Sequence, residues 1–162
     1  MSFSLIAAIG QNNELGKSGH LVFNIPGDLK FFKNTTMGHP VLMGMNTWRS
    51  LPHRLPGREH YIITSHPENL PGDLHPVSDL DQFVDDYKES ETEFFIIGGG
   101  SIYRQLLPHC DKLYLTEVHA SDDGADTFFP VFDKSEYTRT VLGHGEDNGV
   151  TYDHVLYERK PR

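Results

Sequence analysis

Phe94-Phe95-Ile96-Ile97-Gly98-Gly99-Gly100-Ser101-Ile102-Tyr103 runs from four apolar residues through three consecutive glycines into a segment with helical spacing. Phe94–Ile97 reads as a strand buried on both faces, and Ser101–Leu107 as a helix stopped by Pro108. A strand, a tight glycine turn and a helix form the repeating unit of a parallel α/β sheet. Glycine lets the backbone approach a ligand closely, and a helix start at Ser101 offers unpaired N–H groups and a positive dipole end to a phosphate. This is not the dinucleotide fingerprint, because Tyr103 stands where G-x-G-x-x-G needs its last glycine, and no P-loop lysine follows. A tight turn without a ligand is the competing reading.

The same alternation extends outward. Phe3–Ile9 is an apolar run ending at Gly10 and reads as a buried strand. Gln11–Gly19, rich in Gly, Asn and Ser, reads as a loop that continues to Ile25, long enough to suggest a functional one. Pro26 opens a helix that fades near Met37-Gly38, since its missing N–H would be unpaired in a first turn anyway. In it Leu29, Phe32 and Lys33 share one side. Val41–Gly44 and His60–Thr64 read as strands, with a short helix near Asn46–Leu51 between them. Ser78–Glu89 is the clearest helix: Ser78 and Asp81 resemble a capping pair, and Leu80, Phe83, Val84 and Tyr87 follow helical spacing. Lys112–His119 is a strand, and Tyr137–Leu142 with Val150–Arg159 flank a glycine-rich segment as a closing antiparallel hairpin. The expected fold is α/β, one domain over residues 1–162, with a doubly wound, mixed but mainly parallel sheet and a C-terminal antiparallel hairpin.

Composition removes several classes. Hydrophobic residues make up 37% of the 162, and 15 glycines add to them, an ordinary globular share. A formal net charge of −9 and the lack of a basic run argue against nucleic acid. The single cysteine, Cys110, can form neither an internal disulfide nor a multi-thiolate zinc site. No basic segment precedes the N-terminal apolar run, so it does not read as a signal peptide, and no apolar run approaches a membrane span. A cytoplasmic, monomeric protein with no membrane partner is expected.

Two charged residues stand out. Asp28 in a helix's first turn is ordinary, yet Ile25, Pro26, Leu29, Phe31 and Phe32 surround it. A carboxylate facing an apolar pocket is unfavourable unless a ligand donates hydrogen bonds to it, as an amidine-like edge would. Arg58, in Leu55-Pro56-Gly57-Arg58, has the geometry to bind a carboxylate through two parallel hydrogen bonds, although most arginines at such turns are simply solvated. The ten histidines show no metal spacing and read as surface or isolated core residues. No metal site is expected. Asn34-Thr35-Thr36 reads as a chance glycosylation triplet, and Phe94, Phe95, Phe128, Phe129 and Phe132 as core.

Taken in order, these segments resemble the dihydrofolate reductase family nearly end to end. The resemblance is carried by Ser4–Ala8, Leu15-Gly16, Asn24–Lys33, Val41–Gly44, Thr47-Trp48, Leu55–Arg58, Ile96–Tyr103, Leu113–Thr116 and Asp126–Pro130. It implies NADPH-dependent reduction of 7,8-dihydrofolate to 5,6,7,8-tetrahydrofolate, with hydride transfer to C6 and protonation of N5, in supply of one-carbon metabolism. Dihydrofolate and antifolate inhibitors are the implied small-molecule partners. By the same resemblance Asp28 holds the pterin N3 and 2-amino edge, a water is the immediate proton donor, and Thr116 supports the network. Leu29, Phe32, Leu51 and Leu55 line the substrate, Arg58 clamps its glutamate, and Ile6, Ala8, Ile97 and Tyr103 shape the place where nicotinamide meets pterin.

The cofactor is implied to lie against Gly44, Met45, Asn46, Thr47 and the Gly98-Gly99-Gly100-Ser101-Ile102 turn, with a cis bond between Gly98 and Gly99. Ile63, Thr64, Ser65, Gln105 and Thr127 are implied around it. The loop from Gly10 to Asn24 contributes Leu15, Gly16, Gly19 and His20, with Leu21 toward the nicotinamide, and Asp126 holds this loop by a hydrogen bond. Two departures matter. Leu21-Val22-Phe23 replaces the family's usual Leu-Pro-Trp, so Phe23 brings no indole N–H to order a water. Met45 and Ser101 stand where the family often places basic residues for the 2′-phosphate, leaving Thr64, Ser65 and His66 to reach it. Competing readings are a pyrimidine reductase of the riboflavin pathway, which the Asp28 helix and Arg58 speak against, and a non-catalytic nucleotide-binding module.

Overall fold

The computed structural model describes residues 2–18, 20–23 and 25–161. The order of elements is β1 (Phe3–Ile9), β2 (Glu14–Lys17), β3 (His20–Leu21), α1 (Pro26–Thr36), β4 (Val41–Gly44), α2 (Met45–Ser50), β5 (His60–Ile63), β6 (His75–Val77), α3 (Leu80–Tyr87), β7 (Phe94–Gly98), α4 (Gly100–Leu106), β8 (Lys112–Val118), β9 (Thr127–Phe128), β10 (Tyr137–Asp147) and β11 (Val150–Arg159). Eight strands form one sheet in the order β10-β11-β8-β1-β7-β4-β5-β6. The six strands from β8 to β6 pair in parallel, and β11 and β10 close that side antiparallel. The mixed, mainly parallel sheet expected from the strand–helix alternation is what forms.

Both faces of the sheet are covered, and the two-residue period of each strand sorts its side chains between them. Phe3, Leu5 and Ile9 of β1, with Phe94 and Ile96 of β7, pack toward Phe83 and Val84 of α3 and Ile102 and Leu106 of α4. Ile6 of β1, Val41 and Met43 of β4 and Phe95 of β7 face the other way, toward Phe31 and Phe32 of α1 and Trp48 of α2. The continuous apolar runs in β1, β4 and β7 follow from this, since neither face meets water.

Helix α1 begins at Pro26 as expected, but its opening backbone N–H groups receive no side-chain cap from Ile25. A distant acid supplies one. Asp147, at the end of β10, accepts the Gly27 N–H at 2.8 Å and the Tyr152 hydroxyl at 3.0 Å. A β-carbon on Gly27 would lie 2.1 Å from that hydroxyl, so this close approach needs glycine.

Several expectations are corrected. The segment after Gly10 is not all loop: β2 pairs with β3 on one side and β9 on the other, a small second sheet lying beside the main one. Strands this short carry too few residues for a periodic signal. The α3 cap lies one residue later than expected: Asp79 has an extended backbone and accepts the Gln82 N–H at 3.0 Å. Helix α3 accordingly starts at Leu80 and ends at Tyr87. The β10 strand reaches Asp147 rather than Leu142, since Gly143 and Gly145 sit in the ladder and pair with His154 and Tyr152. Strand β6 was not foreseen because Pro76 interrupts its pattern; it lies at the sheet edge, where proline is tolerated. Phe128 is exposed, unlike Phe94, Phe95 and Phe129.

Leu5 is fully buried at the centre of the sheet, whereas Val131 is 91% exposed. Leu5→Ala should lower unfolding free energy by about 2–5 kcal/mol, the range for an aliphatic truncation in a close-packed core. Val131→Ala should change it by less than about 0.5 kcal/mol. Urea denaturation of the two variants checks the contrast.

Candidate active site

The sheet register builds the site. Ala8 of β1 lies opposite Thr116 of β8, and Thr116 opposite His154 of β11, so one row crosses three strands. All three belong to the parity that faces α1. The first turn of α1 brings Asp28 over this row, where the Thr116 hydroxyl donates to its Oδ1 at 2.5 Å. The same hydroxyl oxygen lies 2.9 Å from His154 Nδ1, and that ring stacks on Phe31 at 3.9 Å between centroids.

Asp28 is half-buried. Burial pushes its carboxyl above the ordinary carboxylate range, and the Thr116 hydrogen bond and the nearby His154 offset part of that. The imidazole of His154 is pushed the opposite way by burial, while Asp28 and Asp153 favour its charged form. A carboxyl so placed has its protonation set by what comes to rest against it. Tyr103 closes the floor from α4: it is buried, and its hydroxyl donates to the Ile6 carbonyl at 2.8 Å.

Beside the row lie Phe32, Leu51, Leu55 and Ile97, all half-buried on the α1 face with Ile6. Arg58 sits at the far end of this wall and is buried, not solvated. Its Nη1 donates to Thr36 Oγ1 at 3.1 Å and its Nε to the Pro56 carbonyl at 3.0 Å. Thr36 in turn donates to the Phe32 carbonyl at 2.8 Å, so the guanidinium plane is tied to α1. Leu29 and Leu21, at 55% and 64% exposure, leave more than half of their surface open to solvent.

A second group gathers at the carboxyl ends of β4 and β7, where open α/β sheets commonly take ligands. The Gly98–Gly99 bond is cis, as the resemblance implied. A β-carbon on Gly98 would lie 3.3 Å from Thr47 Oγ1, one on Gly44 3.0 Å from Ile102, and one on Gly100 2.9 Å from Thr127. Gly44, Thr47, Gly98, Gly99, Gly100, Ile102 and Thr127 are thus brought together around bare backbone. Asn46 is exposed and Met45 half-buried in the first turn of α2. Ser101 is exposed and bonded to Gln105 on the surface of α4. Thr64 and Ser65 follow the end of β5, where Ile63 packs beneath them and Thr64 accepts the His66 N–H at 3.0 Å.

The loop over this region is fixed at both ends. Leu15 is buried, and Gly16 pairs with both Leu21 and Thr127. Asp126 accepts the Ser18 N–H at 2.8 Å, as the resemblance implied. Phe23 packs with Ile25, Val118 and Tyr152 as a simple hydrophobe. Gly19, Asn24 and the side chain of His20 lie outside the described residues.

Sequence reasoning missed four participants. Glu14 is buried and accepts the backbone N–H groups of Asn12 at 2.8 Å and Asp122 at 2.6 Å, joining the loop base to the β8–β9 connection. Thr36 was seen only as part of a chance triplet, Asp147 had no local cue, and His154 was read as an isolated histidine. Each acts through a partner 22 to 120 residues away in sequence, beyond any local spacing rule. Among the described residues no cluster of His, Cys, Asp and Glu could hold a metal ion, and no helix is long and apolar enough to cross a membrane.

A family model described as dihydrofolate reductase matches residues 2–159. A dihydrofolate reductase of Bacillus subtilis is 36% identical over 160 residues, covering 97% of this chain and 94% of that one. One of Neisseria meningitidis is 36% identical over 162 residues, covering 98% and 99%. Among solved structures, dihydrofolate reductase from Enterococcus faecalis complexed with NADP(H) and RAB-propyl superposes with a TM-score of 0.87 at 29% identity, over 99% of this chain and 97% of that one.

The raised carboxyl of Asp28 has a consequence for stability. The folded chain keeps this proton at pH values where the unfolded chain has released it, so its contribution to stability falls as pH rises from the ordinary carboxylate range through the raised value. Asp28→Asn removes that dependence. The variant should melt no lower than the parent chain at mildly alkaline pH, with the gap narrowing toward acid; thermal melts across that range check the sign.

Proposed function

Because the chain belongs to the dihydrofolate reductase family, we propose that it reduces 7,8-dihydrofolate to 5,6,7,8-tetrahydrofolate with NADPH, with hydride going to C6 and a proton to N5. The observation that carries this reading is the half-buried Asp28 carboxyl held by Thr116 above the β1–β8–β11 row. A pyrimidine reductase of the riboflavin pathway has no evident use for this acid together with the buried Arg58.

The residues at the carboxyl ends of β4 and β7 fit the cofactor, since three glycines keep side chains off the turn at places where a β-carbon would crowd Thr47, Ile102 or Thr127. Gly44, Asn46, Thr47 and the Gly98–Ile102 turn would hold the dinucleotide. Ser101, Thr64 and Ser65 would meet its 2′-phosphate, and Leu15, Gly16, Gly19, His20, Met45, Ile63, Gln105 and Thr127 would surround it. When bound, NADPH supplies the hydride.

The chain's own part is to place the pterin and control its proton. Asp28 accepts hydrogen bonds from the pterin N3 and 2-amino groups, while Thr116 fixes its Oδ1. Negative charge beneath that edge raises the basicity of the ring system, and N5 takes its proton from a water. Ile6, Ala8, Ile97 and Tyr103 set the depth of the pterin. Leu29, Phe32, Leu51 and Leu55 enclose the aminobenzoyl group, and Arg58, its plane fixed by Thr36 and Pro56, clamps the glutamate carboxylate. Leu21 and Phe23 belong to the loop that keeps bulk water from the site. Antifolate compounds that present an amidine-like edge to Asp28 would compete for the same place.

All of these groups come from one chain, so a single domain over residues 1–162 acting as a monomer suffices. A cytoplasmic location suits a lone cysteine that is buried and donates to the Leu106 carbonyl.

Mixing the protein with NADPH and dihydrofolate and following the loss of reduced-nicotinamide absorbance tests the reaction directly. Asp28→Asn should slow reduction at neutral pH by roughly 10²–10⁴-fold, with activity recovering toward acid as N5 protonates from bulk water. A fully active variant would reduce the acid to a helix-turn residue. With no arginine or lysine at Met45, Thr64, Ser65 or Ser101, preference for NADPH over NADH in kcat/KM should be modest. Ser101→Arg should strengthen it by about tenfold, a factor worth 1.4 kcal/mol.

A further inference from the structure

His154 is a half-buried titratable ring that the reaction outlined above leaves unused. Its position is built rather than incidental: it pairs in register with Thr116, its ring lies within 8° of parallel to Phe31, and its side chain is 12% exposed. Nδ1 stands 2.9 Å from Thr116 Oγ1 and 3.8 Å from Asp28 Oδ1. The threonine hydroxyl carries one proton and has two partners. If it donates to an ionised Asp28, the proton in the second bond must come from His154 Nδ1. If it donates to Nδ1, Asp28 must itself carry a proton to keep its bond. The three groups therefore share one direction of hydrogen bonding, and reversing it changes the charge on both ends.

We propose that His154 is a positioning residue that sets the protonation of Asp28 through the Thr116 hydroxyl. In the reversal, the Asp28 carboxyl proton passes to Thr116 Oγ1 as the hydroxyl's own proton passes to His154 Nδ1. Thr116 ends with one proton, Asp28 is an anion, and His154 is a cation with Nε2–H retained. This deepens the reading of Asp28 as the pterin-binding acid and rests on it for its place in catalysis.

The surroundings allow the exchange. From α1 the ring meets Asp28 and the uncharged Phe31, and from β8 it meets Thr116. On its own strand Tyr152 lies edge-on at 5.2 Å, with its hydroxyl committed to Asp147 of β10. Asp153 points to the opposite face, where His119 and His144 bond it. Tyr103 of α4 completes the charged and titratable groups around Asp28. Burial shifts the acid upward and the imidazole downward, and across 3.8 Å each favours the charged form of the other, the interaction that couples two titrations.

NMR titration of the full ligand-free chain, with carboxylate carbons of aspartate and ring nitrogens of histidine labelled, tests this without using activity. Asp28 should titrate in two steps, and neutral His154 beside an ionised Asp28 should carry its proton on Nδ1. His154→Phe keeps a flat ring against Phe31 and removes the nitrogen; Asp28 should then titrate in one step, moved upward by roughly one pH unit. His154→Asn, whose amide N–H falls near the position of Nδ1, should restore at least half of that shift. Superimposed Asp28 curves for the parent chain and His154→Phe overturn the proposal, as do equal shifts in both variants. Should His154→Phe fail to fold, the parent chain decides: a neutral His154 protonated on Nε2 beside an ionised Asp28 overturns the proposal. Absence of dihydrofolate reduction would count against the function and leave this coupling standing.

Discussion

A carboxyl group held partly out of water, with a single hydroxyl beneath it, sets the requirements that the surrounding fold meets. Asp28 needs a helix that begins at a defined height over the sheet, and Pro26, Gly27 and the distant Asp147 fix that beginning. It also needs Thr116 on the strand face turned toward α1. Strand side chains alternate, so a one-residue slip between β1 and β8 would turn the hydroxyl away and present Leu115 or Glu117 instead. The parallel pairing over Ser4–Ile9 and Lys112–Glu117, locked by side chains buried on both faces, prevents that slip.

The second half of the site obeys the opposite requirement. Around Gly44 and Gly98–Gly100 the chain withholds side chains, and Thr47, Ile102 and Thr127 pack close against the backbone there. One wall is therefore made of precisely aimed polar atoms and the other of bare backbone. The loop anchored by Glu14 and Asp126 bridges the two, held by charge-assisted bonds to backbone N–H groups, buried at Glu14 and exposed at Asp126, and by the short β2 ladders.

Much of this was legible in the chain itself. The runs Phe3–Ile9, Val41–Gly44 and Phe94–Ile97 gave the buried strands because burial on both faces makes a strand continuously apolar. Asp28 stood out because charge among apolar residues is unusual, Arg58 because a turn presents its guanidinium, and the ordered resemblance of many short segments gave the chemistry. What stayed hidden was long-range. Nothing near Asp147 announces that it caps a helix 120 residues earlier, and nothing near His154 reveals Thr116. Strands β2, β3 and β9 were unreadable for another reason: two to four residues hold no period. Phe128 looked like core by type, yet sits on one of those strands with its ring toward solvent.

Strand order also carries a consequence for how the molecule is made. The central β1 is synthesised early, but its neighbour β8 comes late, and β11, which brings His154 beside Thr116 and Tyr152 beneath α1, comes later still. A growing chain thus has Asp28 and its helix in hand long before it has the groups that restrain them. Until β11 is paired, the acid's helix lacks the Asp147–Tyr152 clasp, and the row beneath it is open at one end. A chain interrupted between β8 and that strand is left with an unassembled reaction centre and an unpaired β8 edge, the kind of surface on which nascent chains associate with one another.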